Sequence, residues 1–221
     1  VRRPEPAPLP ASTAQVRLRA VEVLSDHWYT LRKVTLDLRR RDGQWQTLTR
    51  EAYDRGNGAA LLLFNPRRRT VVLTRQFRLP AFLNGSTDGM LLEACAGLLD
   101  GDDPETCIRR EAEEETGYRI RAPRKVFEVY MSPGSVTEKL HGLVADYEPA
   151  DRVCAGGGRV EEGEDIEVLE MPLDEALAAI QSGLIQDGKT VMLLQHVTLK
   201  ELQRRAGNGA GTAPSAVPEN I

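Results

Sequence analysis

Between Val16 and about Arg55, apolar and polar residues alternate in short stretches such as VTLDL (34–38), interrupted by the turn dipeptide Asp42-Gly43. A period of two sends successive side chains to opposite faces of a strand, so residues 16–55 are expected to form a small antiparallel β subdomain. The pattern then changes. AALLLF (59–64) is apolar without alternation, NPRRR (65–69) is a turn with solvated arginines, and TVVLTRQF (70–77) follows, which together predict a hairpin of buried strands. Further strands are expected at Leu91–Glu93, Val126–Tyr130, Leu140–Tyr147 and Ile166–Met171.

Three segments read as helices. The first spans Pro104–Thr116, with Asp103 as N-cap, proline at the first helical position and Gly117 as the stop. The others cover Leu173–Ser182, ahead of Gly183, and about Thr190–Arg205. Strands and helices do not alternate regularly, which argues for an α+β fold and against a doubly wound one. Residues 56–205 are thus expected to form one domain, a mixed sheet flanked by helices in an α/β/α sandwich. The Pro- and Ala-rich stretch 1–15 and the low-complexity stretch 206–221 read as flexible tails.

Composition narrows the choice of partner. A net charge of -4 supplies no broad basic surface, so nucleic acid is not expected as a partner. No apolar run approaches the roughly 20 residues a membrane span requires, and the first residues lack the apolar centre of a signal peptide. Cys95, Cys107 and Cys154 are odd in number and not closely paired, which suits a reducing compartment and a cytoplasmic location. His27, His141 and His196 show no metal-ligand spacing and read as structural or surface residues.

The most unusual stretch is RREAEEETGY (109–118), with four glutamates in five consecutive positions of an expected helix. Glu111, Glu114 and Glu115 fall at i, i+3 and i+4 and share a face, while Glu113 points elsewhere. Like charges at that spacing cost about 0.2 to 0.5 kcal/mol per pair, and more when a neighbouring sheet excludes water. A solvated face with Arg109 and Arg110 as partners would relieve this, and so would a hard divalent cation held by two carboxylates one turn apart.

From Gly97 to Tyr118 the sequence GLLDGDDPETCIRREAEEETGY resembles the Nudix box. Every fixed position from Arg110 onward agrees. The first half is one residue short, and Asp102 or Asp103 stands where the family has glutamate. The segments SDHWYTL, TREAYDRGNGA, RQFR, EACAGLLD, YMSPGSVTE, AGGG, EDIEVLE and DGKTVMLL extend the likeness over about Val23–Leu202. They are similar to the GDP-mannose pyrophosphatase branch of the Nudix hydrolases, kin of the ADP-ribose pyrophosphatases. The resemblance implies a Nudix fold, a homodimer sharing its N-terminal sheets, and Mg²⁺-dependent hydrolysis of a nucleoside diphosphate sugar, with Mn²⁺ as an alternative ion. GDP-mannose is the expected substrate. ADP-ribose or another sugar nucleotide, or an inactive Nudix module that binds nucleotide sugars, are the alternatives.

Carried over by motif, Glu111, Glu115 and the Ala96 carbonyl would hold the metal, with Glu164 as a further ligand. Arg110 would pair with a carboxylate of the box, and Glu162 would act as general base; Glu114 is grouped with them. Arg78, Gly97, Leu98, Glu138, Gly163 and Lys189 match substrate positions. Thr49, Arg50, Glu51 and Trp28 match positions that approach substrate from a partner subunit, although Trp28 could equally be core of the N-terminal sheet. One motif points elsewhere, since Gly183–Thr190 (GLIQDGKT) satisfies the P-loop pattern. It follows a helix, not a buried strand, and sets Asp187 where a phosphate would lie, so a P-loop is not expected.

Overall fold

The structure is a computed structural model that describes residues 8–209. The outer parts of both expected tails, 1–7 and 210–221, lie outside the described residues. Three antiparallel strands, β1 (Val16–Asp26), β2 (Thr30–Arg39) and β3 (Trp45–Asp54), form the first sheet, with β2 in the centre. Most of its side chains are exposed, including Val23, Leu24 and Trp28. The alternation that marked these strands does not correspond to a buried face within the single chain.

The second sheet is mixed. β4 (Gly58–Asn65) and β5 (Thr70–Phe77) are joined by a turn in which the Asn65 carboxamide oxygen accepts from the backbone N–H groups of Arg67 and Arg68, each at 3.0 Å. The strand order is β10 (Glu167–Pro172), β5, β4, β9 (Lys139–Asp146), β8 (Arg124–Tyr130), with β4 and β9 parallel and the other pairs antiparallel. Every residue of β4 is buried, which explains its unbroken apolar run. Ala60, Leu62 and Phe64 enter one core with residues of α3 (Leu173–Gln181) and α4 (Gly188–Gly209). Ala59, Leu61 and Leu63 enter the opposite core with Cys107 and Ile108 of α2 (Pro104–Glu111). The sheet is therefore covered by helices on both faces, as the α/β/α reading expects.

Three departures from the sequence reading matter. A short helix, α1 (Leu79–Leu83), follows β5 where none was expected, begun by Pro80 in its first turn. The chain at Leu91–Glu93 is longer and changes partner: β6 (Met90–Glu93) pairs with β5, and β7 (Cys95–Leu98) pairs with β4. It crosses at Ala94, in the gap left because β4 and β5 pair only near their turn, over Leu63–Asn65 and Thr70–Val72. Finally, the acidic helix is α-helical only to Glu111. Residues Ala112–Thr116 form a π-helical turn, in which the Thr116 hydroxyl donates to the Ala112 carbonyl at 2.5 Å, and Gly117 ends it with φ of 79°. Single π turns widen a helix and recur at functional sites.

Candidate active site

The stretch from Glu93 to Gly97 (EACAG) lies against the acidic helix, and each of its residues makes a distinct contact. Glu93 meets two cations, the Ala94 N–H donates to the Thr190 hydroxyl at 2.7 Å, and the Ala96 N–H donates to Glu115 Oε2 at 3.3 Å. The buried Cys95 thiol sits beside the Glu115 carboxylate and favours its charged form. Gly97 is a contact surface for Glu111: a Cβ there would lie 2.2 Å from the Glu111 carboxyl carbon. Only glycine leaves that slot open.

Glu115 is 2% exposed, and the Glu111 side chain is 13% exposed. Burial pushes the Glu111 carboxyl up to about 7, opposed by Arg110 and reinforced by Glu114 and Glu164. Burial also pushes Glu115 up to about 8; the Cys95 thiol opposes the shift, while the charges of Glu111 and Glu164 add to it. Arg110 reaches Glu111 at 2.9 Å and Glu114 at 3.4 Å, the expected pairing with box carboxylates. Glu113 faces away and pairs with Arg119 at 2.9 Å.

The loop carrying Glu162 and Glu164 is fastened to the same helix. The Gly157 and Gly158 N–H groups donate to the carbonyls of Glu115 (2.9 Å) and Glu114 (3.1 Å). Gly158 has φ of +78°, and a Cβ on it would lie 2.6 Å from Glu164 Oε2, so glycine lets the loop fold back onto its own glutamate. Glu164 Oε2 accepts from the Arg159 N–H at 2.8 Å, and the Arg159 guanidinium bridges Glu114 to Glu162, reaching Glu162 at 3.3 Å. Gly163 closes the turn Val160–Glu162.

The donor set fits a hard divalent cation. It consists of oxygens, the buried Glu115 carboxylate feels the charge of Glu111, and the Gly97 slot holds Glu111 in place. Among the described residues no three His, Cys, Asp or Glu groups converge as a ready-made cage.

The remaining predicted residues divide into two groups. Arg78 and Lys189 meet on Glu93 beside this site, and Glu138 packs against Gly58, 3.8 Å from Arg55 Nε. Leu98 ends β7, its carbonyl accepting from the Cys107 thiol at 3.2 Å. Thr49, Arg50 and Glu51 lie on β3 and Trp28 in the turn between β1 and β2, and among the described residues no hydrogen bond or ion pair joins them to the acidic site: Thr49 meets the Thr35 hydroxyl at 3.3 Å, and Trp28 stands edge-on to Tyr29. At 64% exposed, Trp28 is not subdomain core in the single chain. The P-loop string is no phosphate loop. Asp187 Oδ2 accepts from the Thr190 N–H (3.0 Å) at the start of α4.

Comparison with known proteins decides the family. Residues 54–194 match the model of the NUDIX domain, and residues 15–53 match that of the GDP-mannose pyrophosphatase NudK N-terminal domain. The chain belongs to the Nudix family. It is 56% identical over 185 residues to a GDP-mannose pyrophosphatase of Cronobacter sakazakii (84% of this chain, 96% of that one). Identity is 53% over 190 residues to one of Escherichia coli O1:K1 / APEC (86% and 98%) and 55% over 181 residues to one of Salmonella arizonae (82% and 94%). A solved structure described as an ADP compounds hydrolase superposes with a TM-score of 0.61 at 20% identity, over 91% of this chain and 99% of that one, a likeness of fold.

The shortened first half of the Nudix box has a physical reading. Asp103 is committed to capping α2, accepting from the N–H groups of Glu105 (3.0 Å) and Thr106 (3.1 Å). Sequence reasoning missed Arg159, whose signal is a lone cation between three glycines and the acids of the Nudix loop, and Glu93, which its motif quoted but gave no task. Gly97→Ala is expected to expel Glu111 from its slot and lower turnover at least about 100-fold, the order expected for a misplaced catalytic group. Activity within threefold of wild type would show that the contact is dispensable.

Proposed function

We propose that this Nudix hydrolase cleaves GDP-mannose to GMP and mannose 1-phosphate, with Mg²⁺ as its working ion and Mn²⁺ as a substitute. The observation that carries this reading is the half-buried Glu111 pressed against Gly97 beside the buried Glu115, two carboxylates held protonated by their surroundings that a divalent cation would relieve. The choice of sugar nucleotide is supported by the relatives, which match the chain along nearly their whole length.

Glu111, Glu115, Glu164 and the Ala96 carbonyl are the proposed ligands. Nudix hydrolases generally require a divalent ion, which when bound neutralises the diphosphate charge and makes a water more acidic. Glu162 accepts the proton of the attacking water, with Arg159 orienting it against Glu114. Arg110 holds the spacing of Glu111 and Glu114, while Arg78 and Lys189 present positive charge to the phosphates. Gly97, Leu98, Gly163 and Glu138 line the substrate. Glu162→Gln is expected to lower kcat by about 10² to 10⁴ with the melting temperature unchanged. An unaltered kcat would remove Glu162 from the mechanism.

We further propose that a second copy covers the exposed first sheet and brings Trp28, Thr49, Arg50 and Glu51 to its partner's substrate. Exposed Val21, Val23, Leu24 and Trp28 support this. Light scattering should give twice the chain mass, and a monomer would contradict it. Among the described residues no helix is long and apolar enough to cross a membrane, and three unpaired cysteines favour the cytoplasm as the working compartment.

The deciding experiment is a panel of nucleotide sugars assayed with and without Mg²⁺. The expected result is the highest kcat/KM for GDP-mannose, with GMP and mannose 1-phosphate as products. A preference for ADP-ribose would overturn the substrate. No turnover with any member would favour a binding module.

A further inference from the structure

Glu93 sits at the end of β6, 3% exposed, and each of its carboxylate oxygens engages a different cation. Oε2 accepts from Arg78 Nε and Nη2, both at 2.8 Å, and Oε1 accepts from Lys189 Nζ at 3.1 Å. The two cations come from distant parts of the chain. Arg78 follows β5, and Lys189 is in the first turn of α4. Glu93 is the group that joins them.

The frame around this clamp is rigid. Asp187 holds Lys189 from the other side at 2.9 Å and accepts from the Thr190 N–H. Thr190 is fully buried and binds the backbone N–H of Ala94, the residue next to Glu93. The string that mimics a P-loop thus fastens α4 to the strand carrying the metal-site residues. Arg78 stands within electrostatic reach of Glu115, so the clamp borders the acidic site, and its side chain remains 38% exposed. Among the described residues the Arg78 guanidinium donates to Glu93 alone, through the edge formed by Nε and Nη2. The other edge stays available to an anion.

We propose that Glu93 is a positioning residue, a buried carboxylate that holds Arg78 and Lys189 at a fixed separation so that together they receive the phosphate end of the substrate. This rests on the reading of the site as a nucleotide-sugar pyrophosphatase. Two flexible cations would otherwise repel each other and lose side-chain freedom on binding; fixing them beforehand removes that cost. Glu93 does not touch the reacting atoms, so its effect falls on substrate binding more than on the chemical step.

The test compares wild type with Glu93→Gln by two readouts. In EDTA, where hydrolysis is blocked, calorimetry should show GDP-mannose binding weakened about tenfold, the effect of one lost charge-assisted contact. With Mg²⁺, KM should rise by a similar factor while kcat and the Mg²⁺ activation midpoint change less than threefold. Glu93→Asp keeps the charge but cannot span both cations, and it is expected to show the same binding defect; it decides the matter if the glutamine variant fails to fold. Unchanged or tighter binding in the variant that folds would overturn the proposal, because Glu93 would then only neutralise the cations. Parallel losses in kcat and the Mg²⁺ midpoint would also overturn it, as the mark of a general structural role. A wild type that neither binds nor cleaves GDP-mannose would overturn the functional reading, and this proposal with it. A normal wild type beside an unaltered variant overturns this proposal alone.

Discussion

Replacing Glu115 by glutamine is expected to reduce kcat by a factor on the order of 10³ or more and, at pH 8.5, to raise the melting temperature of the metal-free protein. The two effects have one origin. Glu115 is 2% exposed and faces the charges of Glu111 and Glu164, with the Ala96 N–H donating to it and the Cys95 thiol beside it. An amide of the same shape keeps an oxygen to accept that N–H and removes a charge that is costly to bury. The same substitution removes a proposed ligand, so stability and turnover should move in opposite directions, a pattern typical of a strained functional site. Circular dichroism melts in EDTA, paired with turnover assays in Mg²⁺, test both. A variant that is active, or one that is less stable without metal, would sink this account of the acidic helix.

The second large effect is a coupling of pH, metal and stability. Glu111 and Glu115 hold their protons to about 7 and about 8 in the folded chain, against an ordinary value of 4.5. The native state therefore binds more protons than the unfolded one. This contribution to stability is fully present below about pH 4.5 and is lost as pH rises through 7 and 8. A divalent cation displacing those protons, as proposed, would offset the loss. The melting temperature in EDTA is expected to fall between pH 5.5 and 8.5, and the gain on adding Mg²⁺ to grow over the same range. Calorimetry near pH 7 in buffers of different ionisation enthalpy should detect proton release on metal binding. A Mg²⁺ increment independent of pH, or binding without proton release, would contradict the coupling.

How much of this was readable beforehand depended on whether the signal was local. The β4–β5 hairpin was legible because an unbroken apolar run has one simple explanation, burial on both faces, and β4 is buried throughout. The start of α2 was legible because a cap is a short-range interaction, and Asp103 makes its bonds within three residues. The π turn was not, because AEEET scans as an ordinary helix and the change lies in backbone bonding and the Thr116 hydroxyl. Nor was the crossing at Ala94, which depends on β4 and β5 separating, a property of the whole sheet.

The site shows the same division. Glu111 and Glu115 were marked by helical spacing, and Arg110 by its neighbours. Glu93, Arg78 and Lys189 meet only because β5, β6 and α4 are brought together, and no spacing in the sequence records that. Arg159 belongs to a loop whose three glycines fold it onto the helix, a contact between segments far apart in the chain.

The central claim is that Glu111 and Glu115 share one divalent ion with the substrate diphosphate, and anomalous diffraction from a crystal soaked in Mn²⁺ and a non-hydrolysable GDP-mannose analogue tests it most directly. The account predicts a manganese peak between those two carboxylates, in contact with the Ala96 carbonyl and a phosphate oxygen. An ordered analogue with no manganese at that place, or manganese bound to other residues, would contradict it.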